Sequence, residues 1–144
     1  MSDVDQNETK QIIFSEGIPG FEKDNKFIIV QVEDKGPFYY MQSLDSDLCL
    51  LIADPFVFFP DYQIDLPDEV AEDLGQDEAH EKLVVYVVLT IHEEFKLSTA
   101  NLKAPVIVNA VTLKGIQYIQ QQSQYNTKHL LFPKIEKPVE EEAL

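Results

Sequence analysis

The chain has 144 residues, and 26 Asp and Glu against 11 Lys and Arg give it a formal net charge of −15. All 11 bases are lysine, so the surface lacks the basic patches and planar guanidinium forks that grip phosphate backbones, which argues against direct nucleic-acid binding and for a basic or polar protein partner. One domain with its own hydrophobic core fits this length, and a single cysteine excludes a disulfide framework.

Residues 1–9 are acidic and polar, the reverse of a signal peptide's basic and then apolar order, and no apolar run reaches spanning length. They are expected to form a flexible acidic tail on a cytoplasmic protein with no membrane contact. Lys10 to Phe14 is the first strand candidate. Gly17-Ile18-Pro19-Gly20 then makes a tight turn, and Phe21 beyond it is read as a plug for the core.

Lys26 to Val32, Phe38 to Ser43 and Leu48 to Ala53 read as three strands joined by polar turns, the middle one antiparallel to the first. Cys49 lies in the third, where a free thiol behaves as a small buried hydrophobe. Asp54 to Tyr62 frames Phe56, Phe58 and Phe59 with Pro55 and Pro60. Proline at both ends rules out a central strand, so this is an edge segment or rigid loop. Its aromatics either cap the core, the preferred reading, or are presented to a partner.

Leu66, just before Pro67 to Gly75, lies four apart from Val70 and Val70 from Leu74, with Asp68 and Glu69 at the start and a terminating glycine, which predicts the chain's one helix. Its outer face is acidic. Gln76 to Glu81 continues that run as a loop. Leu83 to Ile91 is continuously apolar and predicts a central strand covered on both sides. Thr99 to Asn109 is a proline-stopped corner feeding the β-branched strand after Pro105, with Asn101 and Asn109 expected to tie loop to sheet. Thr112 to Gly115 reads as a hairpin turn leading into Ile116 to Gln120. Ordered structure is expected over residues 10–133, with residues 134–144 a second flexible acidic tail.

No acid occurs between Phe95 and Ile135, whereas Asp65 to Glu81 is dense with them. Such asymmetry steers and orients a partner. The residues carry no signature of catalysis. His80, His92 and His129 are far apart, and no metal-ligand spacing, nucleophile elbow or glycine-rich phosphate loop occurs. The chain is therefore read as a non-enzyme without cofactor or metal.

The combination of Gly17-Ile18-Pro19-Gly20-Phe21-Glu22, Pro37-Phe38, Asp54-Pro55, Phe59-Pro60-Asp61-Tyr62, and Thr99-Ala100-Asn101-Leu102 with Ala104-Pro105 and Asn109 resembles the bacterial flagellar assembly factor FliW family. The resemblance covers roughly Ile12 to Leu131. It implies a mainly β fold, a small antiparallel β-barrel-like single domain with one short helix. It also implies a binding protein that antagonises CsrA, a dimeric RNA-binding repressor of translation, noncompetitively with respect to RNA. The second implied partner is cytoplasmic flagellin, bound near its C-terminal end, so that a partner switch couples flagellin synthesis to secretion.

On that reading Phe56, Phe58, Phe59, Asp61 and Tyr62 are candidate partner contacts, with Asp68, Glu69, Glu72 and Asp73 helping encounter. Gly17, Ile18, Pro19, Gly20, Phe21, Asn101, Leu102, Pro105 and Asn109 are family-motif residues with a structural role, and the free chain is expected to be monomeric. Two other readings are a stand-alone β-barrel module for a small ligand or carbohydrate, with the aromatics as its platform, and acidic mimicry of RNA.

Overall fold

A computed structural model describes residues 10–75, 83–121 and 123–132. Among these residues nine strands run β1 Ile12–Ile13, β2 Lys26–Gln31, β3 Phe38–Ser43, β4 Cys49–Ala53, β5 Leu83–Thr90, β6 Thr99–Ala100, β7 Val106–Asn109, β8 Lys114–Gln117 and β9 His129–Leu130. Among the described residues two short α-helices interrupt them, α1 Pro55–Phe58 and α2 Asp68–Asp73, with a 3-10 turn at Phe95–Leu97.

The first seven strands of the sheet follow the order β4-β3-β2-β1-β8-β7-β5, and β5 pairs back onto β4 through Ile52 with Val88 and Ala53 with Val87. The sheet thus closes into a barrel of seven strands, which leaves no free edge around its wall. Six of the seven joints are antiparallel; the β1–β8 joint is parallel and rests on the single pair Ile13 and Lys114. Strands β6 and β9 continue from the far end of β5.

Strand alternation fills the barrel. Phe14, Phe27, Met41, Ile52, Val106 and Val108 point inward and are almost wholly buried. Phe14 and Phe27 meet edge to face at 5.2 Å. Tyr39 and Tyr86 do the same at 5.1 Å, and burial raises the ionisation of the Tyr86 phenol to about 12. Gly115 belongs to β8, not to the hairpin turn where the sequence suggested it. Any Cβ there would stand 2.6 Å from the Phe14 ring, so glycine is what lets the ring seat. The turn itself is made by residues 110–113, with Leu113 at φ 61° and its N–H bonded to the Asn109 carbonyl.

The opposite faces of β3, β4 and β5 carry a second core. Ala53, Val87 and Leu89 are buried there with Tyr62, Ala100, Leu102 and Leu131, and Phe38, Leu51 and Val85 pack against them. Strand β5 is therefore central and covered on both faces, as its unbroken apolar run predicted, except near its start, where Val84 is 37% exposed.

Of the family-motif residues, Gly17, Ile18, Leu102, Pro105 and Asn109 are buried, whereas Pro19, Gly20 and Phe21 are exposed. Gly17 takes φ +69°, and a Cβ on it would stand 2.5 Å from the Glu22 carbonyl. That tight bend turns Ile18 inward, to 2% exposure, and Phe21 outward, to 47%. Phe21 is thus not the core plug; Ile18 is, and the two are joined by backbone hydrogen bonds across the Pro19-Gly20 turn, with Gly20 at φ +89°.

Asn101 Oδ1 accepts the Lys103 and Ala104 amides, folding the corner before the buried Pro105, while its own N–H bonds the Val88 carbonyl. Asn109 is wholly buried; its Oδ1 accepts the Val111 and Thr112 amides and its Nδ2 donates to the Leu74 carbonyl at 2.8 Å. It joins helix end, strand end and turn. Leu102 caps the second core.

Two further expectations are revised. Cys49 is exposed at the open start of β4, because the paired register of Met41 with Leu50 and Tyr39 with Ile52 gives the interior to the alternate positions. The Asp54–Tyr62 segment is neither an edge strand nor a plain loop, but begins with the helical turn α1. Residues 1–9, Gln76 to Glu81, His80 and residues 133–144 lie outside the described residues.

Candidate functional site

The segment after β4 starts with a cap. Asp54 Oδ1 accepts the Phe56 amide at 2.9 Å, and Pro55, whose missing N–H costs nothing in a first turn, is buried beneath it. A single helical turn then splits the aromatic run. Phe56 and Val57 face solvent at 45% and 58% exposure, while Phe58 and Phe59 are half-buried.

Tyr62 is not a surface residue. It is 5% exposed, its hydroxyl donates to the Leu102 carbonyl at 2.7 Å, and its ring meets Tyr125 edge to face at 4.8 Å. Burial pushes its ionisation well above the usual phenol range. Asp61 beside it is exposed. Tyr125 in turn accepts the Gln63 amide, and buried Gln120 donates to the same Leu102 carbonyl as Tyr62, so the segment's far end is fixed by hydrogen bonds.

Phe58 does not stand alone on this side of the barrel. Its ring lies 5.7 Å from Phe38 and 5.9 Å from Phe132; Phe132 lies 5.4 Å from Phe95, which lies 6.5 Å from Phe38. These four rings form a closed circuit on the outer face of β3 and β5. Phe95 is 48% exposed and Phe132 40%, and exposed Leu97 and Leu130 adjoin them in sequence. Phe59 faces His129 at 6.2 Å. His129 Nε2 accepts the Asn126 amide at 2.9 Å, which requires the neutral ring, and burial lowers its pKa.

Sequence reasoning found Phe56, Phe58 and Phe59 but missed Phe95, Leu97, Leu130 and Phe132. Their only signal is that apolar residues interrupt polar turns at both ends of the acid-free stretch.

The acidic candidates stand on a different element. Asp68, Glu69, Glu72 and Asp73 are all exposed on α2, whose Ala71 and Leu74 are buried. Pro67 precedes the helix, and Gly75 at φ +85° ends it. Leu74 holds this helix to the β7–β8 turn through Asn109 and Thr112. Between α2 and the β1–β8 seam runs a groove of about 790 Å³, whose lining includes apolar Ile13, Val70 and Ile116 and charged Glu16, Asp73 and Lys114.

A third polar cluster is architectural. Buried Asp24 accepts the Ser43 and Ser46 hydroxyls at 2.6 Å, and Asp45 accepts the Asn25 and Lys26 amides, which hold its carboxyl below the usual range. Together they pin the β3–β4 turn to the start of β2. Among the described residues no group of three or more His, Cys, Asp or Glu is placed to hold a metal, and no helix is long and apolar enough to cross a membrane.

Comparison with known proteins is consistent in fold and sequence. The family model described as FliW protein matches residues 1–131. A flagellar assembly factor FliW from Syntrophomonas wolfei is 41% identical over 133 residues, covering 92% of this chain and 85% of that protein. One from Bacillus licheniformis is 43% identical over 122 residues, covering 84% and 85%. A solved structure titled as that of the flagellar assembly factor FliW superposes with a TM-score of 0.81 at 38% identity, covering 88% of this chain and 89% of its own. With its closed barrel, its motifs and these relatives in agreement, the chain belongs to the FliW family of flagellar assembly factors.

Proposed function

We propose that this protein is a partner-switching regulator that binds the translational repressor CsrA and the C-terminal region of flagellin in the cytoplasm, so that flagellin in excess displaces CsrA and lowers its own synthesis. It acts by occupying partners and performs no catalysis. The observation that carries the reading is the partly exposed ring circuit of Phe38, Phe58, Phe95 and Phe132, open to solvent at Phe95 and Phe132, on a barrel whose interior is filled by its own side chains. An exposed apolar patch of this kind marks a protein contact, and an amphipathic helix laid in it would bury the rings.

The acidic face of α2 supplies the second ingredient, long-range attraction toward a basic RNA-binding protein. That attraction is screened beyond about 8 Å at physiological ionic strength. CsrA capture should therefore slow as salt rises, with the bound complex less affected.

The test mixes purified protein with a CsrA–RNA complex and, separately, with flagellin. Release of RNA by stoichiometric protein and co-elution with flagellin support the reading; failure of both overturns it. Excess RNA decides the mode, because displacement of this protein by RNA would mean mimicry in the RNA groove. A small-ligand module is less well supported. Its platform would be an aromatic-lined pocket, yet the groove beside α2 has no aromatic ring in its lining.

A further inference from the structure

Every strand of the barrel wall has a neighbour on each side, but the joint that closes the wall is one residue pair long. β1 meets β8 only at Ile13 and Lys114. Just beyond, Ser15 and Glu16 form an exposed turn that the Gly17 amide closes on the Phe14 carbonyl. β8 runs on through Gly115, Ile116 and Gln117, each paired to β7 on one side. On the other side none of the three has a register partner among the described residues.

Strand alternation fixes which atoms this leaves open. The Tyr118 and Gln120 amides bond the Pro105 and Lys103 carbonyls on the β7 side, so Gln117, next to Tyr118, turns its N–H and C=O the other way. An outward row of this kind is a template for a further strand, and its shortness and the charge of Lys114 limit unwanted pairing. The space beside it is shaped and charged. The groove along α2 takes in Lys114, Gly115 and Ile116 of β8 with Ile13, Val70 and Asp73. Glu16 and Asp73 outnumber Lys114 among its charged residues, and α2 adds exposed Asp68, Glu69 and Glu72, a balance that selects a cationic occupant.

We propose that β8 from Gly115 to Gln117 takes up an extended, lysine- or arginine-bearing peptide of a partner protein as an added strand. Main-chain bonds to Gln117 set the register, apolar side chains pack on Ile13, Val70 and Ile116, and flanking cations meet Glu16 and Asp73. A small central residue is required, because the Phe14 ring fills the space against Gly115. The site shares no residue with the ring circuit. It draws on the α2 carboxylates assigned above to CsrA attraction, yet it requires neither CsrA nor flagellin as occupant, so either reading can fail alone.

The experiment titrates the isotope-labelled full chain at low salt with a capped peptide whose valine-glycine-valine centre is flanked by lysine pairs, read by nuclear magnetic resonance. Shift changes at Ile13, Val70 and Gly115 to Gln117 are expected, with slowed exchange of the Gln117 amide. The same peptide with glutamates for its lysines, or with its central amides N-methylated, should bind about 10-fold more weakly. Glu16→Lys/Asp73→Lys, which alters only exposed side chains, should weaken the lysine peptide about 10-fold with the melting temperature unchanged. Equal binding of either altered peptide, an undiminished affinity in the double variant, shifts centred on Phe95 and Phe132, or no saturable binding each overturns the proposal. So does a Gln117 amide already protected before peptide is added, which would mean that this chain or a second copy fills the edge.

Discussion

Strands β3, β4 and β5 send Tyr39, Met41, Leu50, Ile52, Tyr86 and Val88 into the barrel, and Phe38, Leu51, Ala53, Val85, Val87 and Leu89 under the aromatic layer outside it. In the inner set Met41 and Ile52 are wholly buried within the wall, and Tyr39, Leu50, Tyr86 and Val88 pack against that core partly buried. Among the described residues the outer set is covered by α1, Tyr62, β6, β9 and the loops between them, and its lid of Phe58, Phe95 and Phe132 stays partly in water. The difference teaches where this fold places stability and where it places contact. Side chains on the same backbone serve one or the other according to which face they occupy.

Phe14→Ala should show the inner side at its strongest. The ring is wholly buried against Phe27 and Gly115, so urea unfolding should lose about 3–5 kcal/mol. A loss under about 1 kcal/mol would mean the interior can collapse around the gap.

Asn109→Ala should cost about 2 kcal/mol, because it strands the Val111 and Thr112 amides and removes the donor to Leu74. Its signature is local, with hydrogen exchange accelerating in α2 and the β7–β8 turn before β2 or β3.

Between the two regions lies Tyr62, buried beneath the outer layer. Tyr62→Phe keeps the ring and deletes one hydrogen bond, and about 1 kcal/mol is expected from the unfolding midpoint. The Leu102 carbonyl retains Gln120 as a donor, which limits the loss.

Phe95→Ala sharpens the contrast from the other side. A half-exposed ring on the outer layer should cost about 0.5 kcal/mol of stability, yet weaken partner binding about tenfold, measured by calorimetry with flagellin or CsrA.

The smallest effect concerns pH. His129 is held neutral by the Asn126 amide and by burial, so its folded pKa is below the unfolded value near 6.5. The unfolded chain takes up the proton first, and stability that is complete above about 6.5 declines as the pH falls through that value. The unfolding midpoint should drop slightly between pH 7.5 and 5.5, and His129→Gln should flatten the drop. Asp45 adds a separate loss only as the pH falls below about 3.8.

Much of the barrel was legible because its signals are local. Six-residue apolar stretches bounded by polar turns gave β2 and β3, and the unbroken run from Leu83 gave a strand covered on two faces. Turn chemistry did less well. Whether Ile18 or Phe21 enters the core depends on a bend with positive φ at Gly17 and Gly20, which composition does not show. Gly115 looked like turn punctuation, yet it is a strand residue emptied for Phe14, a neighbour about a hundred residues away in sequence.

Of the ring circuit only Phe58 was legible, for the same reason. Phe56, Phe58 and Phe59 share one segment, but Phe38, Phe95 and Phe132 join Phe58 only through sheet pairing. The acidic helix could be read whole, since its alternation of Val70, Ala71 and Leu74 with carboxylates lies within two turns.

The parallel joint between β1 and β8 also has a consequence in time. Strand β1 finds β2 within about a dozen residues, but its other neighbour is Lys114. During synthesis from the N-terminus, β1 through β5 emerge as an open, edge-bearing sheet, and the wall cannot close until the segment around Lys114 has left the ribosome. Long-range parallel pairing is intrinsically slow because loop entropy is lost before contacts compensate it. The Ile13 amide, bonded to the Leu113 carbonyl, is the atom that records the event. In pulse-labelled refolding it should gain protection after the amides of β3, whose partners on either side are sequence neighbours.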